Sequence, residues 1–289
     1  MPPQPELVIP PDSAVVSCET VVVEVMLHDV HGIDWSLTRF NFRGSEVLTT
    51  SPGMMILSDT SFRYSPPFSL ADGETIAFYV SQSADTLGNF GFGYPTWHII
   101  IDRSPPRITF VNPHDSSYIN YFWCAGVFDS IAGVDTSSVQ VLVNGIVTDR
   151  TISAETVCVN LSSFAFADGE TVFVCITAHD LVTWCDPNEM ALRCFTYFID
   201  RTPPTASLLH PPYGAVTSCV DQRIIWRLID NQSSIEESTI TVIYEGDTLT
   251  ISDSRLSYEG DSLIFTPDTL IHGDTVRAIL FSASDVAGN

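Results

Sequence analysis

Of the 289 residues, 35 are Asp or Glu, and several recur at matching places. Asp29, Asp129 and Asp230 each close an apolar run and open a polar loop. The loops continue Gly32-Ile33-Asp34, Gly133-Val134-Asp135 and Ser234-Ile235-Glu236, so a second acid follows in step. Later come Asp85 with Asn89, Asp180 with Asp186 and Asn188, and Asp285 with Asn289. Asp102 and Asp200 sit in the matching stretches Ile101-Asp102-Arg103-Ser104-Pro105-Pro106 and Ile199-Asp200-Arg201-Thr202-Pro203-Pro204. Carboxylate and carboxamide oxygens are hard donors, and Ca²⁺ takes about six to eight of them. Asp102, Asp129, Asp135, Asp180, Asp200, Asp230, Asp285 and Asn289 are therefore candidate calcium ligands. The same residue types also cap turns by accepting backbone N–H bonds, and spacing leaves both readings open. No Asp-x-Asp-x-Asp-Gly loop occurs, so a sequence-local calcium loop is missing.

Other reactive chemistry is sparse. There is no Gly-x-Ser-x-Gly, no His-Glu-x-x-His, and no Cys with a recognisable His partner. All 12 cations are Arg, which removes lysine Schiff bases and Walker-type phosphate loops. Gly91-Phe92-Gly93 has no helix behind it and does not read as a dinucleotide fingerprint. Acids are abundant, but none is singled out as a glycosidase pair. Asp72-Gly73 and Asp168-Gly169 read as turns, with Gly supplying positive φ. His28 and His31 with Asp29 imitate a metal cluster. Phe128 and Ile229 stand where the other units would carry His28, which favours a solvated loop. The chain is expected not to be an enzyme. Trp35 and Trp184 fall in loops, where an aromatic ring either meets a glycan or packs locally; Trp123 and Trp226 lie on apolar runs and read as core.

The formal charge is −23, with 45% hydrophobic residues. That composition supports packed cores and excludes nucleic acid and anionic membrane surfaces as partners. No apolar run reaches about 18 residues, so no membrane insertion is expected. Met-Pro-Pro-Gln-Pro-Glu has neither a cationic nor an apolar leader region, which points to a cytosolic chain or a piece of a longer secreted one. Seven cysteines occur, Cys18, Cys124, Cys158, Cys175, Cys185, Cys194 and Cys219, with no Cys-x-x-Cys. The reading is mainly one of small buried hydrophobes, with Cys185–Cys194 as one conceivable bridge. A Cys124–Cys175 bridge is not expected, because counting from Asp129 and Asp180 puts the first thiol outward and the second inward.

The elements that would carry these residues are strands. Val21, Val23, Val25 and Leu27 alternate with Val22, Glu24, Met26 and His28, and Ile76, Phe78 and Val80 alternate with Ala77, Tyr79 and Ser81. Turn residues punctuate the chain about every ten positions, and no convincing helix is found. Markers also repeat in order: the two Ile-Asp-Arg stretches, Ala71-Asp72-Gly73-Glu74-Thr75 with Ala167-Asp168-Gly169-Glu170-Thr171 and the weaker Ile271-His272-Gly273-Asp274-Thr275, and Asp85-Thr86-Leu87-Gly88-Asn89 with Asp285-Val286-Ala287-Gly288-Asn289. The spacing predicts an all-β chain of three tandem immunoglobulin-like β-sandwiches in an elongated arrangement, 1–102, 103–200 and 201–289. Pro-Pro linkers favour short, stiff joints. The third unit is expected to lack its last strand, leaving an open edge and suggesting a fragment.

This order of motifs resembles tandem bacterial immunoglobulin-like repeats of secreted and cell-surface proteins. The resemblance covers essentially the whole chain and marks the class of module, not one protein. It implies an extracellular or cell-surface setting, with a non-catalytic role as stalk, spacer or adhesion module. The partner would be a surface protein or a glycan, and the chain a monomer. The alternative is an accessory immunoglobulin-like region, carbohydrate-binding or not, of a secreted hydrolase whose catalytic domain lies outside this sequence. In such sandwiches the acidic loops lie at the pole where the preceding linker arrives, which is what would gather calcium ligands. The second unit departs from the pattern: Asp180 is followed by Leu181-Val182-Thr183-Trp184-Cys185-Asp186-Pro187-Asn188, longer and without Gly-Asn.

Overall fold

The computed structural model describes every residue except His272 and Asp274. Two of the five residues of the Ile271–Thr275 motif therefore lie outside the described residues. The chain is all-β, with one 3-10 turn, Leu161–Ser163, among the described residues. Strands between residues 4 and 101 build two sheets, those between 107 and 199 two more, and those between 205 and 285 the last two. In the first pair, Gln4–Ile9, Val23–His28, Ser61–Tyr64 and Met54–Ile56 lie side by side in that order. The other sheet runs Ala14–Val16, Trp97–Ile101, Thr75–Ala84, Arg39–Phe42, Ser45–Leu48. Ala14–Val16 is parallel to Trp97–Ile101, and Trp97–Ile101 is antiparallel to Thr75–Ala84. The second pair repeats this order strand for strand, with Ser117–Ile119 parallel to Arg193–Ile199. These are immunoglobulin-like sandwiches in tandem.

Period-two burial explains the strands. Val23, Val25 and Leu27 are fully buried, while Glu24 and Met26 between them are half-exposed. The first core gathers Phe40, Phe42, Phe62, Tyr64 and Phe78 from both sheets. In the second, fully buried Trp123 donates Nε1–H to the Tyr197 hydroxyl at 2.8 Å, and that hydroxyl donates to the Pro113 carbonyl at 3.1 Å. Burial pushes the Tyr197 phenol up to about 12. The third core holds Trp226, Ile240, Val242, Leu263 and Phe265.

Among the described residues the second sheet of the third pair has three strands, Asp247–Thr250, Ile235–Tyr244 and Ala278–Asp285. The counterpart of Trp97–Ile101 is missing among the described residues. Ala278, Leu280 and Ala283 are half-buried against their core.

By proximity the chain divides into two compact units. One is 1–109 with 127–140 and 177–192; the other is 110–126 with 141–176 and 193–289. The boundary crosses the strands of the second sandwich.

The cysteines correct the sequence reading. Six of them form Cys18–Cys185, Cys124–Cys158 and Cys175–Cys194, and Cys219 is free and exposed. Cys185 thus pairs with Cys18, not Cys194. Cys124 lies directly opposite Cys158, and Cys175 opposite Cys194, on neighbouring antiparallel strands. Each bridge sits on the outward side of its sheet: Val157 and Val159 flank Cys158 as core residues, and Val174 and Ile176 flank Cys175. Cys124 and Cys175 are unpaired with each other, as expected, but for a different reason than the counting gave. In the first repeat Arg39 pairs with Gln82 and Phe40 with Val80, so that strand bulges at Ser81. Counting back past a bulge exchanges the two faces, and Cys175 points outward.

Candidate cation pockets

Each linker is fixed at one end before it delivers an acid at the other. The Arg103 amide donates to Asp72 Oδ1 at 2.7 Å, and its guanidinium donates to the carbonyls of Leu70 and Cys18 at 2.8 and 3.0 Å. The Ser104 hydroxyl donates to Asp72 Oδ2. Arg201 repeats the arrangement: its amide reaches Asp168 Oδ1 at 2.8 Å, its guanidinium reaches the carbonyls of Asn120, Leu161, Phe164 and Phe166, and Thr202 donates to Asp168 Oδ2. Ser104 and Thr202, with the Arg amide and charge, hold the Asp72 and Asp168 carboxyls below the usual range. The Asp-Gly turns are therefore also anchors of the linkers. Sequence reasoning missed this role. The signal was the co-recurrence of Asp72 with Arg103 and Asp168 with Arg201, 31 and 33 residues apart.

Asp102 then meets Asp129 and Asp180, each offering one oxygen within 4.8 Å of the others. Asp102 is fully buried and Asp180 nearly so. Asp102 accepts the Ser104 amide on Oδ1 and the Ala132 amide on Oδ2, at 3.1 and 2.9 Å. Asp129 Oδ1 accepts the amides of Ile131 and Gly133, curling the loop beneath it. Asp180 takes the Asn188 amide and side chain, and the same side-chain nitrogen donates to the Asp102 carbonyl at 3.0 Å. Burial pushes the Asp102 carboxyl up; the Ser104 and Ala132 amides oppose this, while the Asp129 and Asp180 charges add to it.

Asp200, Asp230 and Asp285 form the same arrangement, again within 4.8 Å. Asn289 donates its amide and side chain to Asp285 and its side chain to the Asp200 carbonyl, at 2.9 Å in each case. One difference stands out. Asp200 Oδ1 accepts the Thr202 amide, but Oδ2 has no hydrogen-bond partner although Asp200 is fully buried. Asp230 Oδ2 and the Ser233 hydroxyl are also buried without partners. The Asp200 carboxyl is pushed up first by burial and further by the Asp230 and Asp285 charges; the Ser233 hydroxyl beside it moderates this from outside good hydrogen-bond geometry.

The remaining candidates lie elsewhere. Asp135 Oδ1 accepts the amide and hydroxyl of Ser137, capping its own turn as Asp34 does with Ser36. His28 pairs with Glu6 at 2.6 Å. His31 Nδ1 stands 3.8 Å from Asp29 and 4.0 Å from Asp85, a looser and more exposed group. Trp35 packs edge-on against Phe62, and Trp184 packs on the first core.

Buried carboxylate oxygens without donors are costly, and three negative charges at this separation repel. Either a proton or a cation answers both. Ca–O distances of about 2.3–2.6 Å place ligands on opposite sides of one ion about 5 Å apart, so oxygens within 4.8 Å of one another suit a shared Ca²⁺. The donors are hard oxygens only, which favours Ca²⁺ over zinc or copper.

No protein-family model matches the chain, and a search of curated proteins found no match. Solved structures of tandem immunoglobulin and fibronectin-type modules are similar to it at low scores. "Sidekick-1 immunoglobulin domains 1-5" matches at 11% identity and TM-score 0.42, covering 98% of this chain and 56% of that one. "Structural insight into host cell surface retention of a 1.5-MDa bacterial ice-binding adhesin" matches at 16% and 0.38, covering 92% and 87%. "Structures of Clostridium thermocellum CbhA fibronectin(III)-like modules" matches at 12% and 0.35, covering 68% and 94%. At these scores no ligand or partner follows from the likeness.

Proposed function

We propose that the chain is a non-catalytic extracellular module, a stalk, spacer or adhesion region of a bacterial surface or secreted protein. Its repeats, 1–102, 103–200 and 201–289, are joined at linkers closed by Ca²⁺. Asp102, Asp129 and Asp180 hold one ion, and Asp200, Asp230 and Asp285 another, with Asn289 as an outer support. The observation that carries this reading is the buried Asp200 Oδ2, orphaned beside the equally orphaned Asp230 Oδ2 and Ser233 hydroxyl. An ion there would satisfy all three and tie the linker acid to the loops of the repeat that follows it. Three disulfides suit an oxidising, extracellular setting. Among the described residues no helix is long and apolar enough to cross a membrane. The partner is a surface protein or a glycan, met by a monomer.

Calcium titration of chelator-treated protein tests the reading. The melting temperature should rise with Ca²⁺, and Asp200→Asn with Asp230→Asn should remove the part due to the second pocket. An unchanged melting temperature at millimolar Ca²⁺ rejects ion-closed joints.

A further inference from the structure

The second repeat spends four more residues than the others on its carboxylate turn. Asp85 and Asn89, and Asp285 and Asn289, are bonded four residues apart, whereas Asp180 and Asn188 are eight apart. The bonds are the same: the Asn amide to the Asp Oδ1, the Asn side chain to Oδ2. The extra residues are therefore unnecessary for the turn itself.

They run instead along the strand Ala14–Val16. The amides of Thr183 and Trp184 both donate to the Val15 carbonyl, at 3.1 and 3.0 Å. The Val15 amide donates to the Thr183 hydroxyl at 2.9 Å, and the Ser17 amide to the Trp184 carbonyl at 3.3 Å. The Ser17 hydroxyl donates to the Asp186 carbonyl at 2.6 Å. Val16 and Trp184 make a parallel bridge, and the Trp184 ring packs on the first core. Cys185, at φ 72°, closes the disulfide to Cys18. The free edge of Ala14–Val16 is thus filled by a loop of the next repeat, with Trp-Cys at its tip.

We infer that the Leu181–Asn188 loop is a covalent latch that locks the first linker joint independently of any ion. Asn188 couples the latch to the acidic pocket, because its side chain holds both the Asp180 carboxylate and the Asp102 carbonyl. The third repeat's turn, Asp285–Asn289, has no such insertion, and among the described residues no disulfide closes its joint. Closing the latch is thiol–disulfide exchange: Cys18 and Cys185 give up two protons and two electrons to a disulfide oxidant, which leaves as a dithiol. The inference rests on reading Asp102–Pro106 as a joint between repeats, and not on cation binding.

Amide hydrogen exchange of the full chain in chelator tests it, so the outcome does not depend on calcium. In the oxidised protein Val15, Ser17 and Trp184 should be protected. In Cys18→Ser/Cys185→Ser they should exchange at least about tenfold faster, while Ile99 and Ile101 stay unchanged. Should that variant fold poorly, Cys18→Ala/Cys185→Ala, which also leaves the Cys124–Cys158 and Cys175–Cys194 bridges intact, gives the same comparison. Trp184→Ala, which keeps the disulfide, should lose less protection than the double serine variant. Unchanged protection without the disulfide, equal loss at Ile99 and Ile101, or a Trp184→Ala effect matching the double variant would each overturn the latch.

Discussion

At the scale of single residues, the molecule is governed by carboxyls whose surroundings push them in opposite directions. Asp102 and Asp200 are raised by burial, Asp72 and Asp168 lowered by the linker donors they accept. For a raised acid the ionised form destabilises the fold, and the penalty is relieved as pH falls through the raised value. In chelator, Asp200→Asn should therefore melt higher than the native protein at neutral pH, and the gap should close on acidification. For a lowered acid the sign reverses: stability is present above the ordinary carboxyl range and is lost as pH falls through the depressed value. Asp168→Asn should accordingly cost stability at pH 7 and cost progressively less in acid, as read from paired melting curves. The identities of these acids could be read from repetition alone. The orphaned oxygens could not, since the Ala132 amide reaches Asp102 Oδ2 whereas the matching Ser233 amide turns to Asp230 Oδ1 and leaves Asp200 Oδ2 without a donor.

At the scale of elements, an arginine fixes each linker to the strands and loops before it. The Arg201 guanidinium faces four backbone carbonyls and lies 5.0 Å over the Tyr121 ring. Charged hydrogen bonds of this kind contribute about 1.5–3 kcal/mol, and unpairing buried carbonyls adds to the loss. Arg201→Ala should destabilise by about 3 kcal/mol in denaturant titration, with little rescue by Arg201→Lys, because a single ammonium cannot span the same acceptors. Strand alternation announced the sheets, and Trp123 and Trp226 fell in cores as their runs suggested. The disulfides were hidden because a bridge between neighbouring strands depends on register. One bulge at Ser81 was enough to turn the expected face of Cys175 around.

At the scale of the whole molecule, a net charge of −23 is a repulsion spread over every repeat. Screening shortens its reach from about 30 Å at 0.01 M salt to about 8 Å at 0.15 M. The melting temperature should rise over that interval with a monovalent salt that has no affinity for the pockets. Covalent closure works against the same repulsion. Cys124–Cys158 spans 34 residues and Cys175–Cys194 spans 19, and chain-entropy arguments assign each about 3–4 kcal/mol. Full reduction should lower the midpoint markedly, and the Cys124→Ala/Cys158→Ala variant should lose only its own share.

The repeated order of Asp, Gly, Asn and Ile-Asp-Arg, laid over a period of two, was sufficient for an all-β chain of serial sandwiches, because alternation and turn chemistry are local properties. Which oxygens meet, which thiols face one another and where the Trp184 loop lies were decided only in three dimensions. Those relations join residues up to 169 positions apart, and nothing local in the chain specifies the register that brings them together.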